Sequence, residues 1–132
     1  MSSPREEIPP TVLIVEDDLL LLWSLRLVFI NSGYHTVSTE SAEEAIELLS
    51  SVNPEVVLAD SALPRLGMIQ LLSAIRKCSP GLPIIVLGGD EIPQSMTKDK
   101  NWNLNFCEKP VDFNELVTLA KDLGGKFVKE YK

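Results

Sequence analysis

Short β-branched apolar runs alternate five times with longer helical patterns along this chain. That alternation admits few folds. Each new strand must be reached through a helical crossover, and such crossovers build a parallel sheet. The strand candidates are 11–16, 34–38, 55–60, 83–88 and 103–107. The helix candidates are 18–32, 41–51, 67–78, one near 91–100, and 112–123 or beyond. The expected fold is α/β, a doubly wound five-stranded parallel sheet with helices on both faces. Boundary residues agree with it. Gly33 suits the position after the first helix, Ser41 with Glu44 a capping box, and Asp112 with Glu115 the start of the last helix. Pro54, Pro80, Pro83 and Pro110 punctuate the loops. The fourth helix is expected to be short or distorted, because Pro93 suits only a first turn and Asn101, Asn103 and Asn105 are poor interior residues.

Two of the apolar runs end in acids. Val12–Val15 is followed by Glu16, Asp17 and Asp18, and Val56–Ala59 by Asp60. An open parallel sheet places its binding crevice at the carboxyl ends of its strands. Carboxylates gathered there repel one another, by about 4 kcal/mol for a pair ~4 Å apart at an effective dielectric near 20. Such a cluster calls for a hard cation or for a proton shared between the acids.

The length of 132 residues argues for one domain, here 11–123, with a loose tail at 1–10 and a tail or helix extension at 124–132. A net charge of −7 argues against direct nucleic-acid binding, which needs Lys and Arg against phosphates. The stretch from Leu19 to Ile30 is too short to cross a bilayer and no signal peptide is visible, so no membrane insertion is expected. Cys78 and Cys107 show no metal-ligand spacing and read as free thiols of a cytoplasmic protein.

The order of these features resembles the receiver domain of two-component response regulators: acids after strand 1, a lone Asp after strand 3, and Lys109–Pro110 after strand 5. The loop Asp60-Ser-Ala-Leu-Pro64 resembles that family's Asp-x-x-Met/Leu-Pro segment, and Leu71, Leu72, Ile75 and Arg76 fall where its third helix has them. The resemblance implies a role for each. Asp60 would be the phosphoacceptor, taking a phosphoryl group from a histidine kinase or histidine phosphotransfer protein. Glu16, Asp17, Asp60 and the carbonyl of Ala62 would hold Mg²⁺. Lys109 would contact the Asp60 carboxylate and later a phosphoryl oxygen. Ser61 and Gly89 would contribute backbone contacts to the phosphoryl group. The chain would then be a signalling protein that assists its own phosphoryl transfer and dephosphorylation, not an enzyme.

Departures from the family pattern are equally specific. Strand 4 usually ends with a Thr or Ser whose hydroxyl bonds the phosphoryl group, and here the position is Gly88. The switch aromatic is Phe106, a ring without a hydroxyl. Gly67–Met68 stands where an Asp/Asn/Gly pair usually opens helix 3, and Ala62 and Asp90 occupy positions that tend to tune dephosphorylation in the family. These departures keep open an alternative, a pseudo-receiver that binds partners without phosphorylation. A flavodoxin-like cofactor binder shares the architecture but needs a phosphate loop where Glu16–Asp18 would repel phosphate. Asp18 reads as the N-cap of helix 1. On that helix, Leu20, Ser24, Leu25, Val28 and Phe29 are expected to face the sheet. Leu19, Leu22, Trp23, Arg26, Leu27 and Ile30 are expected on the outer side, as a partner face or a homodimer seam.

Overall fold

A computed structural model describes residues 8–63, 67–88 and 94–131. Five strands form one sheet: β1 Thr11–Val15, β2 His35–Thr39, β3 Val56–Asp60, β4 Ile84–Leu87 and β5 Leu104–Cys107. Their order is β2-β1-β3-β4-β5 and every pairing is parallel. The helices are α1 Leu19–Asn31, α2 Ala42–Val52, α3 Gly67–Cys78, α4 Gln94–Lys98 and α5 Phe113–Tyr131. The doubly wound α/β expectation is therefore met, including a short fourth helix. Residues Pro64, Gly89, Asp90 and Pro93, named above, lie outside the described residues.

Strand periodicity divides the core. Val12 and Ile14 of β1 pack with Leu25, Phe29, Leu116 and Ala120 of α1 and α5. Leu13 and Val15 point the other way, to Ala45, Leu49, Leu72 and Ile75 of α2 and α3. Successive side chains of a strand alternate between faces, so one strand feeds both layers. The central strand β3 is buried along its whole length, as a strand covered on both faces must be.

Helix ends follow local chemistry. Asp18 caps α1, its Oδ1 accepting from the amides of Leu20 at 3.0 Å and Leu21 at 3.3 Å. Ser41 Oγ accepts from the Glu44 amide, and Asp112 Oδ1 from the Glu115 amide. These side chains satisfy donors that a helix leaves open in its first turn.

One expectation needs correction. On α1, Leu22 is 6% exposed and belongs to the core, whereas Leu20 is 80% exposed. The buried face runs through Leu22, Leu25 and Phe29, at helical spacing. Four leucines open the helix in succession, so hydrophobic pattern alone could not orient it. The outer face keeps Leu19, Trp23, Leu27 and Ile30, with the Arg26 guanidinium 5.0 Å from the centre of the Trp23 ring.

Helix α5 takes the longer of the two ends the sequence left open: it continues past 123, through Gly124 and Gly125, to Tyr131. Tertiary burial overrides the weak helix propensity of the glycines. Phe127 is buried, and its ring stacks on Tyr131 at 5.4 Å. Tyr131 in turn covers Gly81, which has φ +86° and where a Cβ would lie 2.6 Å from the tyrosine ring.

Candidate functional site: an acid cluster facing a lysine

Strand register builds the site. Val15 pairs with Ala59, so the next residues, Glu16 and Asp60, leave adjacent strands at the same end of the sheet. The Glu16 amide still donates to Thr39 O at 3.0 Å, which holds the loop against β2 as it departs. Asp17 follows in the same loop. Carboxylate oxygens of Glu16, Asp17 and Asp60 all lie within 4.8 Å of one another. At that spacing each pair of charges costs about 3–4 kcal/mol at an effective dielectric near 20.

The three acids differ in surroundings. Glu16 is fully buried and Asp60 nearly so, while Asp17 is exposed. Glu16 Oε2 accepts the Asp18 amide at 3.1 Å, and Oε1 has no hydrogen-bond partner. Burial, more than the neighbouring charge of Asp60, raises the Glu16 pKa from 4.5 to about 7. The Asp18 amide and the Lys109 charge oppose that rise without cancelling it.

Lys109 reaches across from the loop after β5. Its Nζ donates to Asp60 Oδ1 at 2.9 Å. Burial of Lys109 pushes its pKa down, but the hydrogen bond to Asp60 and the charges of Asp60 and Glu16 outweigh it, and the net shift is upward. The ammonium is therefore a fixed positive charge aimed at Asp60. One cation against three carboxylates leaves the cluster short of positive charge. An unpartnered, fully buried carboxylate oxygen beside two further carboxylates is a donor set that suits a hard divalent ion.

The other expected residues surround this centre. Ala62 is exposed in the turn after β3, and Ser61 is buried beside Asp60. The Ser61 amide donates to Leu87 O at 3.0 Å, tying the turn to β4. Gly88 follows β4, and its amide donates to Cys107 O at 2.9 Å. Phe106 stands on β5, partly exposed. Glu16, Asp17, Asp60 and Lys109 are thus brought together. The α1 residues Leu19, Trp23, Arg26, Leu27 and Ile30 form a neighbouring but separate surface, from which Leu22 is withdrawn into the core.

Sequence reasoning missed two contributions. One is the place of the Ser61 side chain opposite Gly88, which depends on a close approach between strands. The other is Arg76 as a structural clamp: its guanidinium donates to Ser79 O, Leu82 O and Trp102 O. A lone arginine within an otherwise well-patterned helix was the only signal for it.

Comparisons with known proteins agree with this geometry. The family model described as response regulator receiver domain matches residues 12–121. The transcriptional regulatory protein GlrR of Escherichia coli (strain K12) is 31% identical over 115 residues, which are 86% of this chain and 26% of that protein. The DNA-binding transcriptional regulator NtrC of the same organism is 27% identical over 111 residues, 83% of this chain and 24% of that protein. The chain thus spans about a quarter of the length of these curated relatives. Among solved structures, a CheY-like receiver domain protein from Methanospirillum hungatei JF-1 superposes with a TM-score of 0.83 at 24% identity, covering 93% of this chain and 99% of that one. A response regulator structure from Chloroflexus aurantiacus J-10-fl gives 0.77 at 26% identity, covering 89% and 99%.

Proposed function

Since the chain belongs to the response regulator receiver domain family, we propose that Asp60 accepts a phosphoryl group from a phosphohistidine on a partner protein. The observation that carries this reading is the Asp60 carboxylate itself, held by Lys109 at 2.9 Å and faced by Glu16 and Asp17. An Asp60 oxygen attacks phosphorus in line with the donor's P–N bond. The P–N bond breaks as the new O–P bond forms, and its electron pair stays with the imidazole nitrogen. Lys109 then exchanges a carboxylate oxygen for a phosphoryl oxygen as its partner, which keeps positive charge where negative charge accumulates. The buried floor of Glu16 and β3 keeps competing water away from one side of the carboxylate.

Glu16, Asp17 and Asp60, with the Ala62 carbonyl, would hold Mg²⁺. When bound, that ion supplies positive charge to the phosphoryl oxygens. The unpartnered Glu16 Oε1 supports this assignment, because a buried carboxylate oxygen without a donor is costly unless a cation completes it. On this reading the chain is a phosphoacceptor in signal transduction that assists its own transfer and dephosphorylation. The charged pair at Asp60 favours it over a binding module that lacks phosphorylation.

Incubation with acetyl phosphate and Mg²⁺ is expected to add one phosphoryl group, detected by intact mass. Asp60→Asn is expected to abolish the addition. Equal labelling of that variant would overturn the assignment.

We assign the exposed side of α1 to the phosphohistidine partner. The helix begins directly after Asp17 and Asp18, so the face formed by Leu19, Trp23, Leu27 and Ile30, with half-buried Arg26, starts beside the acid cluster and runs away from it along the helix. Trp and Arg are frequent interface anchors. Replacing Trp23 with Glu and Ile30 with Lys is expected to leave labelling by acetyl phosphate unchanged. Transfer from a histidine phosphotransfer protein should fall by about tenfold or more, the effect of losing one anchor worth ~1.4 kcal/mol. Unimpaired protein-to-protein transfer would remove this face from the reading.

A further inference from the structure

Ser61 and Gly88 compete for one small space. Gly88 follows β4 with φ +97°, and a Cβ built on it would lie 2.5 Å from Ser61 Oγ and 3.5 Å from Ser61 Cβ. A side-chain carbon and a hydroxyl oxygen cannot both occupy that volume. Any side chain at position 88 would displace the Ser61 hydroxyl or force the backbone to move. In this chain the space belongs to Ser61, which is 7% exposed.

The location of that space decides its use. Asp60 pairs with Leu87 in the β3–β4 ladder, and Ser61 and Gly88 are the residues that follow each of them. The Ser61 amide is fixed on Leu87 O, so the residue is held on the β4 side of Asp60. Lys109 approaches Asp60 from the loop after β5, and Glu16 and Asp17 from the loop after β1. A phosphoryl group on Asp60 presents three oxygens that seek donors or cations. The acid-lined side and Lys109 account for two directions. On the β4 side, Gly88 brings no side chain.

We propose that the Ser61 hydroxyl donates a hydrogen bond to an oxygen of the phosphoryl group on Asp60, and that Gly88 is the residue that leaves it room to do so. The hydroxyl keeps its proton and forms no covalent bond; it stabilises charge that develops during transfer and persists on the product. The donor and the phosphoacceptor are consecutive residues of one turn. Rotation about the Ser61 Cα–Cβ bond, with no displacement of β4, is the motion this proposal requires. This inference rests on phosphorylation of Asp60.

The test compares wild type, Ser61→Ala and Ser61→Thr. The initial rate of labelling by acetyl phosphate with Mg²⁺ is followed by intact mass, alongside Mg²⁺ affinity and melting temperature. Loss of a hydrogen bond to a charged group predicts a rate lower by about ten- to a hundredfold in Ser61→Ala. Mg²⁺ affinity and melting temperature should stay at wild-type values. Ser61→Thr, which keeps the hydroxyl, should recover most of the rate. A wild-type rate in Ser61→Ala would overturn the proposal. So would equal losses in the Ala and Thr variants, or a rate loss matched by a fall in melting temperature, because the residue would then serve only the fold. A wild type that takes up no phosphoryl group would overturn the Asp60 assignment, and this inference with it.

Discussion

Raising the pH from about 5 to about 8 without divalent metal is expected to destabilise the protein by up to about 3 kcal/mol, through Glu16 alone. Its carboxyl is fully buried, with one oxygen unpartnered, and burial lifts its pKa from 4.5 to about 7. The unfolded chain gives up that proton near the ordinary value, while the folded chain retains it to about 7. Between those two values the folded state binds more protons, so stability falls as pH rises and levels off above the folded pKa. Glu16→Gln should flatten the profile and make the metal-free protein more stable than wild type at about pH 8, by ~1–3 kcal/mol. Excess Mg²⁺ should stabilise wild type at high pH and the variant far less, because a ligand that binds only the folded state adds stability that grows with the logarithm of its concentration over its Kd. Urea melts with a chelator across this range measure both effects. Wild-type stability that rises with pH through the window would show that Glu16 is ionised in the folded protein.

Arg76→Met is expected to cost about 2–4 kcal/mol. The Arg76 guanidinium fastens three separate pieces of chain. Nη1 donates to Ser79 O at 3.2 Å just past α3, and Nη2 to Leu82 O at 2.6 Å ahead of β4. Nε and Nη2 both donate to Trp102 O, at 3.0 and 2.6 Å. Its burial lowers the guanidinium pKa, yet a forked donor set of this strength keeps it charged. Methionine retains the aliphatic packing and abandons all the carbonyls. Arg76→Lys should recover less than half of the loss, since one ammonium cannot reproduce the planar fork. Urea denaturation at constant m-value measures the difference. A cost below about 0.5 kcal/mol would mean that water takes over these carbonyls freely.

The sequence made the sheet and four of the helices legible because their signals are local. Alternation and β-branched runs placed the strands, and Asp18, Ser41 and Asp112 marked helix starts by their own side-chain oxygens. The acid cluster was legible for the same reason, since strand ends carry it and parallel order brings strand ends together. Helix α1 was not orientable, because the run from Leu19 to Leu22 is apolar on every side and only contact with β1 decides which leucine turns inward. The end of α5 stayed open between 123 and an extension over 124–132, because two glycines locally argue for a stop while Phe127 finds its burial in residues far away in sequence. The Arg76 clamp and the Ser61–Gly88 exclusion join positions 26 or 27 residues apart. No short-range pattern encodes such contacts.

The brevity of α4 has a consequence for how the molecule breathes. Its five residues close barely one helical turn, far below the length at which helix propagation repays nucleation. Met96 is the only residue of α4 that the core buries. Between Gln94 and Trp102, Met96 packs into the core, the Trp102 ring packs against the same cluster, and Arg76 grips the Trp102 carbonyl. A segment with so few buried contacts opens at a free energy well below that of the whole domain. Unfolding is expected to have two tiers: a low one in which this stretch detaches from an intact sheet, and a high one in which the strands separate. Amides within Gln94–Lys98 exchange with solvent through the first tier, while those of β1 and β3 wait for the second.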